Sequence, residues 1–129
     1  FFQYQCVVPL NGAEASLRAL LEQIGQSGLG SFLAVLKRMG PQGNGTLSFP
    51  MEGYTLALDF PATPDALALM GRLDAVVETA GGRLYLAKDG RLPAATLRAM
   101  DPRVSIFAAA RRQDGAGHFQ SSQSERLHL

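Results

Sequence analysis

YTLALDFPATPDALALMGRLDAVVETAGGRLYLAK, residues 54–88, contains three predicted elements in succession. Residues 54–60 alternate between large apolar side chains and smaller or polar ones, which is typical of a strand with one buried face. Thr63 can cap a helix that begins at Pro64, and apolar residues then recur at helical spacing until a pair of glycines. Residues 83–88 predict another short strand. This half of the chain therefore indicates strand, helix, strand.

The first part of the chain predicts the same order of elements. Residues 1–9 alternate as a strand, and residues 13–27 show the apolar spacing of an amphipathic helix. Residues 31–38 predict a second strand. Residues 40–53 are rich in glycine and proline, which is typical of a loop.

Together these elements follow the order strand, helix, strand, strand, helix, strand. This is the order of the ferredoxin-like split βαβ fold, an α+β architecture in which both helices cover one face of an antiparallel sheet. A C-terminal helical segment follows. The side chains predicted to meet between sheet and helices are Tyr4, Cys6, Leu20, Leu21, Ile24, Leu36, Leu56, Leu58, Leu67, Leu73, Val77, Leu84 and Leu86.

The opposite face of the predicted sheet has a mixed character. It collects Gln3 and Gln5 from the first strand, Lys37 from the second, and Thr55 and Asp59 from the third. These side chains are too polar for a second core, and the apolar residues between them are unusual for a face that meets only water. The pattern favours a wall that contacts a ligand.

Composition narrows the classes of function. Twelve Lys and Arg residues against eleven Asp and Glu leave a formal charge of +1, without a dense basic run. A general nucleic-acid binder needs a basic surface, so we expect no nucleic-acid partner. No apolar run approaches the roughly 20 residues that span a bilayer, so we expect no transmembrane segment.

The few cysteine and histidine residues argue against disulfide bonds and metal sites. Cys6 is the single cysteine, so the chain has no internal disulfide, and its apolar neighbours predict a buried thiol in a reducing compartment such as the cytoplasm. His118 and His128 lack neighbours at the spacing of metal ligands, and we predict no metal.

Five stretches carry a resemblance to a known family. FFQYQCVVP at 1–9, GSFLAVLKRMGP at 30–41, LSFPMEGYTLALDFP at 47–61, GGRLYLAKDGR at 81–91 and LRAMDPR at 97–103 resemble, in the same order, the C-terminal part of FAD-linked oxidoreductases of the vanillyl-alcohol-oxidase class. Within that class the chain is most similar to the decaprenylphosphoryl-β-D-ribose 2′-oxidases. The resemblance extends from Phe1 to about Arg112.

The resemblance implies a domain organisation and a cofactor. Residues 1–88 correspond to the second half of a substrate-binding domain, and residues 89–129 to a helical return toward an N-terminal FAD domain that this chain does not include. FAD is expected in the full-length parent and not on the fragment, which should be inactive alone. Lys88 corresponds to the catalytic lysine over the flavin, and Tyr85 and Lys88 to cofactor-binding residues.

The resemblance also implies a substrate site. Gln3, Gln5, Lys37, Thr55 and Ala57 correspond to residues that line a pocket for a sugar or glycosyl-lipid, whose secondary alcohol is oxidised by hydride transfer to flavin. The related mycobacterial enzymes have asparagine and cysteine where this chain has Thr55 and Ala57, which leaves room for a different polyprenyl or glycosyl substrate. Contact with a membrane is expected only through a lipid-linked substrate.

Simpler interpretations of these residues stay open. Gln3 and Gln5 could bond each other or the backbone at a sheet edge, and Lys37 and Lys88 could be ordinary solvated lysines. The chain could also be a stand-alone ferredoxin-like module that binds a small ligand or regulates another protein. An RNA-binding sheet is disfavoured, because the aromatic strand typical of such modules is absent. As an isolated fragment the chain is expected to form a homo-oligomer, through the edge of its first strand.

Overall fold

The computed structural model describes residues 1–115 and 118–129. Within these ranges, four strands and two long helices alternate in the first two thirds of the chain, and short helices follow. The elements are β1 (Phe2–Pro9), α1 (Ala13–Ser27), β2 (Ala34–Met39), β3 (Gly53–Phe60), α2 (Pro64–Thr79), β4 (Arg83–Leu84), a 3₁₀ turn (Leu86–Lys88), α3 (Ala94–Met100), α4 (Arg103–Gln113) and α5 (Ser122–Leu127). Among the described residues, every helix is too short or too polar to span a lipid bilayer.

The sheet has the strand order β2-β3-β1-β4, and its neighbouring strands pair antiparallel. This confirms the predicted α+β ferredoxin-like arrangement. The central β1–β3 pair sets Gln3 opposite Asp59 and Gln5 opposite Ala57. Because side chains alternate across a strand, this register places both glutamines on the face opposite Tyr4 and Cys6.

The second helix begins as the sequence predicts. Thr63 adopts an extended backbone and its hydroxyl accepts a hydrogen bond from the Ala66 amide at 3.3 Å, while Pro64 occupies the first turn. Proline is favoured there because its missing amide hydrogen would have no helical partner. The resulting α2 buries Leu73 and Val77 in the core.

A hydrophobic core joins the sheet, both long helices and the C-terminal helices. Tyr4, Cys6 and Leu58 from the strands belong to it together with Leu20 and Leu73 from the helices. Side chains of the later segments belong to the same cluster and are almost wholly buried: Leu92, Leu97, Val104 and Leu127. The described part of 89–129 is therefore packed on the same core as residues 1–88.

Three predicted core residues are instead exposed. Leu36, Leu21 and Leu67 have 55%, 54% and 41% of their surface exposed. Leu36 does lie on the helix side of the sheet, opposite Leu56, but it belongs to the edge strand β2. The main contacts of α1 and α2 with the sheet are made with β1 and β4, so the helix side of β2 stays largely uncovered.

Two predictions about strands are also wrong in detail. The predicted strand over 83–88 is only two residues long and passes into the 3₁₀ turn Leu86–Lys88. The first strand is not an edge strand, because β1 lies between β3 and β4. The outer edge on the side of β3 is formed by β2, which begins at Ala34 rather than Ser31.

Candidate functional site

The two glutamines of β1 lie on the face of the sheet that the long helices leave free. Gln5 Nε2 donates to the hydroxyl of Thr55 at 3.0 Å, and Gln3 Nε2 donates to a carboxylate oxygen of Asp59 at 3.3 Å. The amides thus bond side chains of the neighbouring strand β3 and not each other. Each glutamine keeps its amide oxygen as an acceptor on the same face.

This face changes from covered to open along β1 and β3. Thr55 is buried although it lies opposite the helix side, and Val7, its partner in the register, is fully buried. At the other end Gln3 and its hydrogen bond to Asp59 are exposed. The open part of the face therefore begins near Gln5 and extends toward the start of β1.

Tyr85 and Lys88 border the open part of the face. The Tyr85 amide donates to the Gln5 carbonyl at 2.8 Å, which extends the pairing of β4 with β1 by one residue. The Lys88 amide donates to the Tyr85 carbonyl at 3.0 Å and closes the 3₁₀ turn. A shallow depression with a volume of only about 10 Å³ is lined by Gln3, Gln5, Tyr85 and Lys88, together with Tyr4, Leu84, Asp89 and Arg91. It is a wall that needs another surface to become a pocket.

The two lysines predicted for the site differ in exposure. Lys88 is half-buried, and its ammonium makes no hydrogen bond or ion pair within residues 1–115 and 118–129. Lys37 is exposed on β2 beside Thr55 in the register, and Ala57 lies between Gln5 and Val35. The structure thus brings Gln3, Gln5, Tyr85 and Lys88 together, with Lys37 further away on the outer strand.

The turn that carries Lys88 is held by the end of the chain. One carboxylate oxygen of Asp89 accepts hydrogen bonds from the Arg91 and Leu92 amides at 3.0 and 2.8 Å, and the other pairs with Arg126 at 2.8 Å. Gln123 donates to the Leu86 carbonyl at 2.6 Å. The contacts with Arg126 and Gln123 join residues more than 30 positions apart, so no local pattern in the sequence indicates them.

A buried ion pair fixes the other side of the same turn. Two nitrogens of Arg91 donate to the two carboxylate oxygens of Asp74 at 2.5 and 2.7 Å, and the Arg91 guanidinium carbon lies 5.6 Å from the centre of the Tyr4 ring. Burial raises the pKa of Tyr4 well above its usual value. Burial also works against the charge of Arg91, but the contacts with Asp74 outweigh it and raise the pKa of Arg91. Sequence reasoning missed this pair.

The described residues were also compared with the requirements of a metal site. Within residues 1–115 and 118–129, no three His, Cys, Asp or Glu side chains form a group that could hold a metal ion. The chemistry that the face offers is hydrogen bonding through amides and hydroxyls, with two ammonium groups nearby. Such a set of groups suits a polar, hydroxyl-rich ligand.

The fold and this face define an α+β domain of the ferredoxin-like type with a polar sheet face. Comparison with known proteins confirms the predicted resemblance to the decaprenylphosphoryl-ribose oxidases. The chain is similar to decaprenylphosphoryl-beta-D-ribose oxidase of Mycolicibacterium smegmatis, with 41% identity over 130 residues that cover 100% of this chain and 28% of the relative. It is also 38% identical over 128 residues, 98% of this chain and 35% of the relative, to a Streptomyces coelicolor protein described as "Uncharacterized protein in mprA 5'region". The chain thus spans about a third of each relative's length. No protein-family model matches it.

Proposed function

We propose that this chain is the substrate-facing part of a longer FAD-dependent oxidoreductase that oxidises a secondary alcohol of a sugar or glycosyl-lipid. One observation carries the proposal. The open sheet face gathers Gln3, Gln5, Tyr85 and Lys88, in a chain 41% identical to an oxidase named for decaprenylphosphoryl-beta-D-ribose. Residues 1–88 would form the wall above the substrate, and residues 89–129 would connect it to the cofactor domain.

The residues of this face fit one side of a flavin site. Lys88 lines the same depression as Gln3, Gln5 and Tyr85, which Asp89 and Arg91 also border. Within the described residues its ammonium has no hydrogen-bond or ion-pair partner. A cation at that position can hold a substrate hydroxyl and stabilise negative charge that develops nearby. FAD, when bound in the full-length protein, would supply the acceptor for the hydride.

The other side chains would bind and orient the substrate. The part-buried hydrogen bond to Thr55 orients the Gln5 amide before a ligand arrives, whereas the bond of Gln3 to Asp59 is exposed. Such preorganisation lowers the entropy cost of binding and favours one orientation of the sugar. Lys37 would contact a more distant part of the substrate, because it lies on the outer strand β2. Since the depression holds only about 10 Å³, other parts of the parent must complete the enclosure.

The test uses the full-length parent. Lys88→Ala should lower the rate of flavin reduction by substrate at least about a hundredfold in anaerobic single-turnover experiments, while flavin absorbance is retained. Arg38→Ala is the matched control, because Arg38 is an exposed cation whose place in the register lies on the opposite face. A parent without flavin absorbance, or a Lys88→Ala variant with unchanged flavin reduction, would contradict the proposal.

A second candidate function is a stand-alone module that binds a small ligand without flavin. The core that joins Leu92 and Leu127 to the sheet favours it, because such a chain can fold without further domains. Titration of the isolated chain with sugar phosphates, followed by amide NMR shifts at Gln3 and Gln5, separates the candidates. Micromolar binding at these residues supports the module, whereas millimolar or weaker binding supports the oxidoreductase fragment.

A further inference from the structure

Tyr85 also lines a second cavity, whose lining does not include Lys88. It has a volume of about 230 Å³ and is lined by the loop before β3, by β4, by the 3₁₀ turn, by α3 and by the start of α4. Phe49 closes one side, with its ring centre 4.7 Å from that of Tyr85. Two arginines, Arg83 and Arg103, line this cavity.

The two arginines converge on one backbone oxygen. Arg83 Nη1 and Arg103 Nη2 each donate to the Ser48 carbonyl at 3.1 Å. Arg103 also forms a two-point contact with Asp101, with Nε and Nη2 at 2.8 and 2.6 Å from its oxygens. Arg83 Nη2 donates to the neutral Gln42 side chain at 2.9 Å. Three distant segments of the chain therefore place two guanidinium groups side by side.

Positive charge at this cavity exceeds negative charge. Among the described residues that line it, Asp101 is the one carboxylate, and it forms its ion pair with Arg103. Burial, and then the nearby charge of Arg103, lower the pKa of Arg83. Burial alone would favour the neutral form of Asp101, but hydrogen bonds from Arg103 outweigh it, so the pKa of Asp101 lies below its usual value.

One donor of Arg103 has no acceptor in the described part of the chain. Arg103 Nη1 is buried and makes no hydrogen bond within the described residues. Buried donors of charged groups are almost always satisfied, because leaving one unpaired costs more than an ordinary hydrogen bond gains. The side chains of Leu97 and Met100, which line the same cavity, carry no oxygen or nitrogen acceptor.

We infer that this cavity is a binding site for a phosphate group, held by the guanidinium groups of Arg83 and Arg103. A water molecule could accept from Arg103, but it would leave the excess positive charge unbalanced. A tetrahedral oxyanion supplies both the negative charge and several acceptors, and guanidinium groups match its geometry. The site goes beyond the proposed function, since none of Gln3, Gln5 and Lys88 lines it and it needs no flavin.

The experiment is a titration of the 129-residue chain with inorganic phosphate at constant ionic strength, with sodium chloride as the reference salt. We expect saturable shifts of the arginine Nε–Hε and Ser48 amide NMR signals. Arg83→Gln should weaken the binding at least tenfold, which corresponds to about 1.4 kcal/mol. Arg72→Gln is the matched control, because Arg72 is an exposed arginine whose partner is Gln23 on α1.

Each outcome decides for or against the site. Saturable shifts that Arg83→Gln weakens and Arg72→Gln leaves intact support it. Equal responses to chloride, equal weakening in both variants, or no saturable shift up to tens of millimolar phosphate overturn it. If Arg83→Gln fails to fold, the shifts of the unaltered chain decide alone: saturation at Arg103 and Ser48 supports the site, and shifts spread over exposed arginines overturn it.

A second titration identifies the source of the phosphate. Dimethyl phosphate has the phosphodiester form of a lipid headgroup. Inorganic phosphate and the monoester methyl phosphate can carry a second negative charge, and both are smaller than dimethyl phosphate. The enclosed cavity predicts tighter binding of the monoester and of free phosphate. Tighter binding of the diester would overturn the assignment to a free phosphate or monoester.

Discussion

Asp74→Asn removes the negative charge that balances Arg91 inside the protein while it changes the side-chain volume very little. Asp74 and Arg91 have only 4% and 13% of their side-chain surface exposed. The variant leaves the guanidinium beside Tyr4 without this counter-charge in surroundings of low polarity. We expect a large loss of stability, because an uncompensated buried charge has a high desolvation cost.

The magnitude follows from the contacts. Two hydrogen bonds of 2.5 and 2.7 Å join the pair. Hydrogen bonds to charged groups contribute about 1.5–3 kcal/mol each, and removal of one partner of a buried pair costs about 3–5 kcal/mol. We therefore expect the free energy of unfolding to fall by about 3–5 kcal/mol. With a typical unfolding entropy per residue, this corresponds to a fall in Tm of about 11–18 °C for a chain of this length.

The assay is urea unfolding followed by far-UV circular dichroism, because the chain has no tryptophan. Glu14→Gln is the control, since it breaks a pair with Arg18 whose side chains are 87% and 67% exposed. Surface pairs of this kind contribute at most about 1 kcal/mol, so the control should unfold almost as the unaltered chain does.

The double variant Asp74→Leu with Arg91→Met completes the test. Replacement of both charges by apolar side chains is often neutral, so it should recover most of the stability lost in Asp74→Asn. The reasoning is refuted if Asp74→Asn costs less than about 1 kcal/mol, the range of an exposed pair. It is also refuted if the double variant is less stable than Asp74→Asn.

Three further predictions concern packing, pH and association. Gly53→Ala should destabilise the protein by about 1–3 kcal/mol in urea melts, because an added Cβ would lie 2.0 Å from the Val8 carbonyl oxygen. Gly71→Ala, whose Cβ would meet nothing within 4 Å among the described residues, should stabilise α2 by about 0.5–1 kcal/mol, and the reverse order would contradict the structure. Burial raises the pKa of Cys6 from 9.0 to about 12, so the unfolded thiol ionises first and stability should fall as pH rises between these values. Cys6→Ala should reduce that slope, and an unchanged slope would assign it to other groups. The isolated chain should associate in sedimentation experiments through the uncovered side of β2, and Leu36→Lys should reduce the association, whereas a monomeric unaltered chain at high concentration would contradict it.

The order of elements and the two faces of the sheet could be predicted because they depend on local patterns. Alternation in residues 54–60 and the Thr63-Pro64 helix start are properties of a few neighbouring residues, and the structure reproduces both. The position of Gln3 and Gln5 on the free face follows from the same alternation. The alternation of side chains along a strand fixes the face of the sheet on which each side chain lies, but not what covers that face.

The exposure of Leu36 and Leu21 could not be predicted for this reason. Both have the spacing of buried residues, yet burial depends on where the helices lie over the sheet. The shortness of β4 also depends on distant residues. The chain beyond it forms a turn next to Asp89, which is bound by Arg126 from the end of the chain.

The convergence of Arg83 and Arg103 on Ser48 depends entirely on the tertiary structure. The three residues lie in a loop, a strand and a helix, and Arg103 is 55 positions from Ser48 in the chain. In the sequence each arginine resembles an ordinary surface cation. Lys88 is the opposite case: only the resemblance to a family indicated it, and the structure adds that its ammonium meets no acceptor among the described residues.

The ion pair of Arg126 with Asp89 constrains how this sequence can change over evolutionary time. The side chain of Asp89 is 5% exposed while that of Arg126 is 28% exposed, so the arginine can be exchanged more readily than the aspartate. Descendants that shorten the tail should first acquire another way to hold the segment beside Lys88. We therefore expect the last helix and Lys88 to be inherited together, although the two occupy opposite ends of the final third of the chain.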